Sequence, residues 1–212
     1  MLPLPLPRPP LILASSSPYR RELLLRLRIP FDVMRPDVDE SPHEGEPCET
    51  TAMRLSRAKA EAIAMLRPEA IVIGSDQVAE SEGRTLGKPG TYHNAVAQLR
   101  GLSGKVARFH SGVCVIAPQV DETHRVRCEV ATTTVLFRSL NDEEIDAYLR
   151  LETPYGCAGS AKAEALGIAL LARIDSDDPT ALIGLPLIRL VSMLRAIDYP
   201  ILPAMSFTNF PT

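Results

Sequence analysis

The stretch Ile71-Val72-Ile73-Gly74-Ser75-Asp76-Gln77 decides the fold. Three consecutive β-branched residues followed by a glycine are typical of a short strand that is buried on both faces, as in a parallel sheet. We expect this strand to stop at Asp76. Because ligands of open α/β sheets collect at the carboxyl ends of strands, Asp76 and Gln77 are then predicted to lie in a crevice. Taken alone, Gly74-Ser75-Asp76 could equally be a polar turn.

A second strand candidate, Leu11 to Ala14, lies upstream and runs into a serine-rich turn. Ser17 followed by Pro18 fits an N-cap and a first helical position, so a helix is predicted to start there. Arginine in a first turn is unfavourable against the helix dipole, so the adjacent Arg20 and Arg21 indicate a bound anion such as phosphate. The alternative is a solvated surface pair.

Three further segments carry charged side chains that could serve a site. The acidic loop Pro36 to Glu40 is either a solvated turn or a source of metal ligands. A helical pattern from Pro47 to Leu66 contains Lys59, which could also be an ordinary surface lysine. In Gly87-Lys88-Pro89, a lysine between glycine and proline lies on a restricted backbone. The Walker pattern GxxxxGK[ST] is absent.

The C-terminal half predicts further strands and helices. Alternating apolar residues predict an antiparallel pair of strands at Ala107 to Ile116 and Arg125 to Phe137. A small-residue loop around Glu164 follows a helix that begins after Asn141. The remaining predicted elements are a polar segment from Ala79 to Leu86, a helix from Thr91 to Leu99, a strand from Ile168 to Ile174 and a helix from Leu185-Pro186 through Leu194.

The length of 212 residues allows one sizeable core or two small ones. No internal repeat or low-complexity linker interrupts residues 11–198, which predicts one α/β domain there, preceded by a mobile proline-rich tail at 1–10 and followed by an irregular tail at 199–212. Alternating prolines spoil the helical apolar region that a secretory signal needs. The net charge of -3 gives no global attraction to nucleic acid. No apolar run approaches the about 20 residues of a membrane span.

The four cysteines are widely spaced and form no CxxC pair, which argues against a zinc site and a dense disulfide framework. We expect reduced, mostly structural thiols in a cytoplasmic protein. The cysteines are Cys48, Cys114, Cys128 and Cys157.

Six segments together resemble the Maf family of nucleotide pyrophosphatases: Leu13 to Leu24, Val38-Asp39-Glu40, Arg57-Ala58-Lys59-Ala60, Gly74 to Val78, Gly87-Lys88-Pro89 and Gly184-Leu185-Pro186. The resemblance implies an elongated mixed β-sheet flanked by helices, with two lobes around a cleft, similar to the inosine-triphosphate pyrophosphatases. It also implies a cytoplasmic, commonly dimeric enzyme. Such an enzyme cleaves nucleoside triphosphates to the monophosphate and pyrophosphate with a divalent metal, Mg²⁺ or Mn²⁺.

Within the family, three residues resemble the branch that hydrolyses 7-methyl-GTP. Gln77 follows the central aspartate, Tyr19 occupies a place usually filled by tryptophan, and Glu164 matches a third specificity position. The chemistry agrees, because a base that carries a positive charge favours an aromatic face and a nearby carboxylate. The smaller aromatic at position 19 makes the identity of the base less certain than the reaction.

The same resemblance assigns the remaining site residues. Glu40 is the first choice as a ligand of Mg²⁺ or Mn²⁺, and Asp76 is either the general base or a second metal ligand, which the sequence leaves open. The residues predicted to bind phosphate are Ser15, Arg20, Arg21, Lys59 and Lys88.

Three other interpretations stay open at this stage. The chain could prefer dTTP or UTP, or it could be a non-enzymatic nucleotide-binding regulator of septum formation that releases no pyrophosphate. A secreted protein would use the segment at Leu11 as a signal.

Overall fold

The computed structural model describes residues 9–118 and 126–202. Most of the proline-rich tail, the polar connection at 119–124 and the segment from residue 203 onward lie outside the described residues. The strands are β1 (Leu11–Ala14), β2 (Asp32–Met34), β3 (Ile71–Ser81), β4 (Arg84–Leu86), β5 (Val106–Ile116), β6 (Val126–Phe137) and β7 (Leu171–Asp175). The helices are α1 (Pro18–Leu25), α2 (Cys48–Leu66), α3 (Tyr92–Leu102), α4 (Asp142–Glu152) and α5 (Leu187–Arg195). Across 9–118 and 126–202, none of the helices combines the length and apolar character needed to span a bilayer.

The seven strands form one mixed sheet in the order β2-β1-β3-β5-β6-β7, with β4 paired to β3. The three strands β2, β1 and β3 are parallel, and the remaining pairs are antiparallel. This arrangement confirms the predicted mixed sheet flanked by helices. The long antiparallel pair of β5 and β6 lies within one residue of its predicted bounds.

The course of β3 corrects one prediction, because the strand does not stop at Asp76 but continues to Ser81. The neighbouring strand β1 ends instead, at Ala14 opposite Gly74, and β4 pairs with β3 only from Ala79 onward. Between these two partners, one edge of β3 is open in the described part of the chain. The crevice at Asp76 therefore arises from the end of β1.

Two other elements differ from their predictions. The segment predicted as polar after β3 is a hairpin, in which Glu82 and Gly83 both have positive φ, 50° and 75°. Two such residues match the right-handed twist of the flanking strands. The strand predicted at Ile168 to Ile174 instead begins as a 3-10 helix, Leu166–Leu170, which is followed by β7.

The core divides into clusters that define two lobes. In the first lobe, α1 and α5 pack on one face of the sheet through residues such as Leu23 and Leu190, and α2 packs on the other through Ile63. In the second lobe, α3 and α4 pack against the far ends of β5 and β6 around Leu99 and Phe137. The long strands β3, β5 and β6 run through both lobes.

Two glycines allow α2 to lie directly on the sheet. A Cβ atom at Gly74 would come closer than 3.0 Å to Ser56 and Ala60, and one at Gly112 would come closer than 3.0 Å to Ser56 and Ala52. No side chain therefore fits between the helix and these strands. This close approach carries the middle of α2 over Asp76.

The cysteine prediction is wrong for one pair. Cys114 of β5 and Cys128 of β6 face each other across the ladder and are joined as a disulfide. Cys48 and Cys157 are free thiols. The spacing of cysteines along the chain does not show this pair, because the register of the two strands brings the residues together.

Candidate functional site

A cavity of about 810 Å³ opens where β1 ends and β3 continues. Its walls come from the serine-rich turn, the loop after β2, the open edge of β3, the loop around Lys88 and the small-residue loop around Glu164. The structure brings nine of the predicted site residues to this cavity: Ser15, Tyr19, Arg20, Glu40, Lys59, Asp76, Gln77, Lys88 and Glu164. Arg21 is exposed on α1 and does not line the cavity.

Lys59 is the buried centre of an ionic group and is not a surface lysine. It is 5% exposed, and its Nζ donates to Asp76 Oδ1 at 2.6 Å and forms an ion pair with Glu40 Oε1 at 2.7 Å. The backbone N–H of Asp76 donates to Ser56 Oγ at 2.9 Å, and Ser56 in turn donates to the carbonyl of Ala52 at 2.6 Å. Helix α2 therefore holds both the main chain and the side chain of Asp76.

Glu40 lies in a positive field. Burial alone would raise its pKa, but the hydrogen bond from Lys59 and the charges of Lys59, Lys88 and Arg20 outweigh burial, so the pKa of Glu40 is lowered. Glu40 thus remains ionised at neutral pH, as a metal ligand must.

Arg20 is fixed by a hydrogen bond to the main chain. Its Nε donates to the carbonyl of Gly184 at 2.9 Å, and the same carbonyl accepts from Ser75 Oγ at 3.0 Å. Burial lowers the pKa of Arg20, whereas the charges of Asp76 and Glu40 act in the other direction. No other hydrogen bond of the Arg20 guanidinium is present in the described part of the chain, so its remaining nitrogens are available to an anionic ligand.

The start of α1 has the predicted cap. Ser17 accepts a hydrogen bond from the backbone N–H of Arg20 at 3.4 Å, and Pro18 occupies the first helical position. The backbone N–H of Ser17 donates to Ser15 Oγ at 3.1 Å. The serine-rich turn therefore presents hydroxyls and a helix N-terminus to the cavity, which suits an anion.

At another part of the cavity, Tyr19 meets the small-residue loop. The Cys157 thiol donates to Tyr19 Oη at 3.8 Å. Burial, this contact with Cys157 and the negative charges of Glu164 and Glu152 raise the pKa of Tyr19 to about 12. Tyr19 thus presents a neutral aromatic ring close to the carboxylate of Glu164.

The amide of Gln77 has a fixed orientation. Its Nε2 donates to Ser111 Oγ at 2.9 Å and to the carbonyls of Ala181 and Leu182, both at 3.0 Å. A carbonyl can only accept, so the nitrogen must face this side. Within residues 9–118 and 126–202, Oε1 has no protein donor, which leaves Gln77 as an acceptor toward a ligand.

Sequence reasoning missed two features of this site. Arg35 follows β2 directly, lines the cavity and has neither an ion pair nor a hydrogen bond among the described residues. Its position after a parallel strand next to β1 was a usable signal. Gln98 of α3 binds two of the cavity loops but lies in an ordinary amphipathic helix, where no sequence pattern marks it.

The acidic groups of the cavity could hold one divalent ion. No cluster of three or more metal-ligating side chains is present in the part of the chain that the structure describes. Glu40 and Asp76 nevertheless converge on the single ammonium of Lys59. Two carboxylates completed by water and substrate phosphates are the usual environment of Mg²⁺ in nucleotide enzymes, so the residues fit such an ion.

Known proteins resemble this chain over almost its whole length. A 7-methyl-GTP pyrophosphatase of Cupriavidus metallidurans is 58% identical over 193 residues, which are 91% of this chain and 96% of that protein. A protein of the same name from Ralstonia nicotianae is 56% identical over 194 residues, 92% of this chain and 98% of that protein.

Among solved structures, a nucleoside-triphosphatase (dITP/XTP pyrophosphatase) of Mycobacterium abscessus aligns at 16% identity and a TM-score of 0.38, covering 68% of this chain and 95% of that chain. The profile of the family described as Maf-like protein matches residues 10–197. The chain therefore belongs to the Maf family.

Proposed function

We propose that this protein hydrolyses 7-methyl-GTP to 7-methyl-GMP and pyrophosphate. The observation that carries the proposal is one cavity that contains both the Asp76–Lys59–Glu40 group and the pair of Tyr19 and Glu164. The first group suits hydrolysis of a phosphoanhydride, and the second suits a positively charged base. The names of relatives that are more than half identical to this chain support the same reaction.

The negative charge of the substrate phosphates is offset by cationic side chains that form no ion pair with a carboxylate in the described part of the chain. Lys59 is engaged by two carboxylates, whereas Lys88 and Arg35 have no ion-pair partner among the described residues. Together with Arg20 and the Ser15 hydroxyl, they supply positive charge and hydrogen bonds where a triphosphate needs them. Arg21 lies outside the cavity, and its role as a phosphate ligand stays a prediction.

Asp76 acts as the general base in this proposal. Lys59 engages Oδ1, and Oδ2 has no protein partner among the described residues, so Oδ2 is the atom available to a water. As that water attacks at the anhydride between the α- and β-phosphates, its proton passes to Asp76, and the bond to the departing pyrophosphate breaks. Arg20, Lys88 and Arg35 stabilise the charge that develops on the phosphate oxygens.

A divalent ion, Mg²⁺ or Mn²⁺, is part of the proposal, with Glu40 as its first ligand; Asp76 would be its second ligand as the alternative to the role of general base. When bound, the ion neutralises phosphate charge and polarises the anhydride. Because Asp76 has two alternative roles, as general base or as metal ligand, Glu40 and Asp76 must be substituted one at a time.

Glu40→Gln is expected to raise the Mg²⁺ concentration for half-maximal activity by roughly tenfold or more, a loss typical even of groups that only support metal ligands. The amide keeps the size of the side chain but removes its charge. Rates measured across a Mg²⁺ titration at saturating nucleotide would check this expectation. A Glu44→Gln protein, altered at an exposed glutamate with no partner in the described residues, serves as the control. An unchanged Mg²⁺ requirement in Glu40→Gln would remove Glu40 from the metal site.

The base end of the proposal uses the ring of Tyr19, the carboxylate of Glu164 and the free oxygen of Gln77. A methyl group on N7 gives guanine a positive charge, which an aromatic face and a carboxylate both favour. The Watson–Crick edge of guanine carries N–H donors, and Gln77 Oε1 is an acceptor. All three groups line the same cavity.

Glu164→Ala is expected to lower kcat/KM for 7-methyl-GTP by roughly tenfold to a hundredfold, because a charged contact is lost. The loss for GTP should be less than threefold, since GTP has no positive charge on the base. Initial rates of pyrophosphate release on both nucleotides would measure the ratio. Equal losses on the two substrates would remove the assigned role of Glu164.

The function itself is tested by pyrophosphate release from a panel of 7-methyl-GTP, GTP, UTP, dTTP and 5-methyl-UTP, each with Mg²⁺ or Mn²⁺. Preference for 7-methyl-GTP supports the proposal. Preference for the pyrimidine nucleotides keeps the reaction but overturns the substrate. Binding of a triphosphate without release of pyrophosphate would favour the regulator that does not catalyse.

The proposed substrate also favours the cytoplasm as the place of action, since free nucleoside triphosphates are held there. Retention of residues 1–10 on the mature protein, read by mass spectrometry, would agree with this location. A homodimer stays a prediction, which the mass of the purified protein in solution would test.

A further inference from the structure

Gln98 of α3 joins two loops that approach the cavity from different sides. Its Nε2 donates to the carbonyl of Gly87 at 3.1 Å, and its Oε1 accepts from Ser160 Oγ at 2.5 Å. Gly87 precedes Lys88, and Ser160 lies in the small-residue loop that carries Cys157. Gln98 itself does not line the cavity.

The two loops serve opposite ends of the proposed substrate. Lys88 has no ion-pair partner within residues 9–118 and 126–202, and its charge acts on both Glu40 and Cys157. The loop of Ser160 continues to Glu164, whose carboxylate is proposed to contact the nucleobase of the substrate. A change in the relation of these loops therefore changes the spacing between phosphate contacts and base contacts.

Further hydrogen bonds, from α3 and from Tyr155, help to fix the position of the Lys88 loop relative to the small-residue loop. Asn94 Nδ2 donates to the carbonyl of Pro89 at 2.9 Å, and the backbone N–H of Gly90 donates to the carbonyl of Tyr155 at 3.0 Å. Hydrogen bonds thus hold the chain both before Lys88, at Gly87, and after it, at Pro89 and Gly90. Ser160 is fully buried with a positive φ of 54°, a conformation that a non-glycine residue keeps only when its surroundings hold it.

We propose that Gln98 is a positioning residue that holds both loops at once: its hydrogen bond to Gly87 sets the position of Lys88 for the phosphates, and its hydrogen bond to Ser160 sets the position of the Glu164 loop for the nucleobase. The proposal rests on the function proposed above. An amide is needed at this position because one loop offers an acceptor and the other a donor. The carbonyl of Gly87 accepts only, which fixes the orientation of the amide.

Three substitutions separate the two hydrogen bonds. Gln98→Glu keeps the acceptor for Ser160 and loses the donor for Gly87. Ser160→Ala does the reverse, and Gln98→Leu removes both hydrogen bonds. His93→Ala, at an exposed residue of the same helix with no partner among the described residues, is the control.

We expect Gln98→Glu to raise KM for 7-methyl-GTP and GTP alike by roughly tenfold, the loss typical of one hydrogen bond. Ser160→Ala should instead lower the ratio of kcat/KM between 7-methyl-GTP and GTP by a similar factor. Gln98→Leu should show both effects, with kcat changed less than KM. The inhibition constant of inorganic pyrophosphate should rise with Gln98→Glu and not with Ser160→Ala.

A uniform loss of kcat in all three variants, accompanied by lower melting temperatures, would show a merely structural role and overturn the proposal. Unchanged kinetics in Gln98→Leu would overturn it as well. The proposed function can fail separately, since wild-type protein would then prefer another nucleotide. Inhibition by pyrophosphate, measured on that nucleotide, would still report the position of Lys88.

Discussion

Replacement of Asp76 by asparagine is expected to lower kcat for pyrophosphate release by roughly 10²–10⁴, the range that a general base contributes. Asparagine has the same shape, and its carbonyl oxygen can still accept from Lys59, which keeps its second partner in Glu40. The amide cannot take a proton from water. Nucleotide binding should therefore survive where turnover does not.

The measurement pairs single-turnover rates with calorimetric binding of the nucleotide. Asp32→Asn, at an exposed position on β2, is a matched control and should keep wild-type rates. A reduced rate that excess Mn²⁺ restores would assign Asp76 to the metal rather than to the water. If Asp76→Asn keeps more than a tenth of the wild-type kcat, Asp76 is not the base.

Gly112→Ala is expected to destabilise the fold by about 1–3 kcal/mol or more, as overpacking of a close contact does. The new methyl group would overlap Ser56 Oγ and the carbonyl of Ala52, both of which belong to one hydrogen bond of α2. The helix must then move away from the sheet. Since α2 also carries Lys59, activity should fall with stability.

Gly101→Ala is the matched control for this substitution. Gly101 lies in α3, where a Cβ atom would meet nothing within 4 Å, so the change should stabilise the protein by about 0.5–1 kcal/mol. Urea unfolding and initial rates for both variants would measure the difference. A Gly112→Ala protein with wild-type stability and activity would mean that α2 can shift without affecting Asp76.

Local sequence patterns predicted the elements that local chemistry determines. The Ser17-Pro18 start of α1 and its serine cap are confirmed, because the N-cap preference depends on neighbouring residues alone. The predicted helix from Pro47 to Leu66 is also confirmed. In contrast, the burial of Lys59 depends on Gly74 and Gly112, which are distant in sequence, so the same pattern left a surface lysine open.

The features that the sequence did not reveal depend on the ends and registers of other strands. Nothing near Asp76 indicates that β3 continues, because the crevice is set by where β1 ends. The pairing of Cys114 with Cys128 follows from the register of β5 against β6.

The direction of the Arg21 side chain depends on helix geometry. Arg21 follows Arg20 in sequence, but on a helix adjacent residues point in different directions, and of these two only Arg20 lines the cavity.

The three strands that run through both lobes also bear on how ligands enter and leave. Opening the lobes like a hinge would require β3, β5 and β6 to bend together, at the cost of the long ladders that join them. In the proposed reaction, exchange of nucleotide for products therefore falls to the loop after β2, which lines the cavity through Arg35 and Glu40. For the proposed reaction we therefore expect product release to depend on the motion of this loop rather than on a rearrangement of the whole molecule.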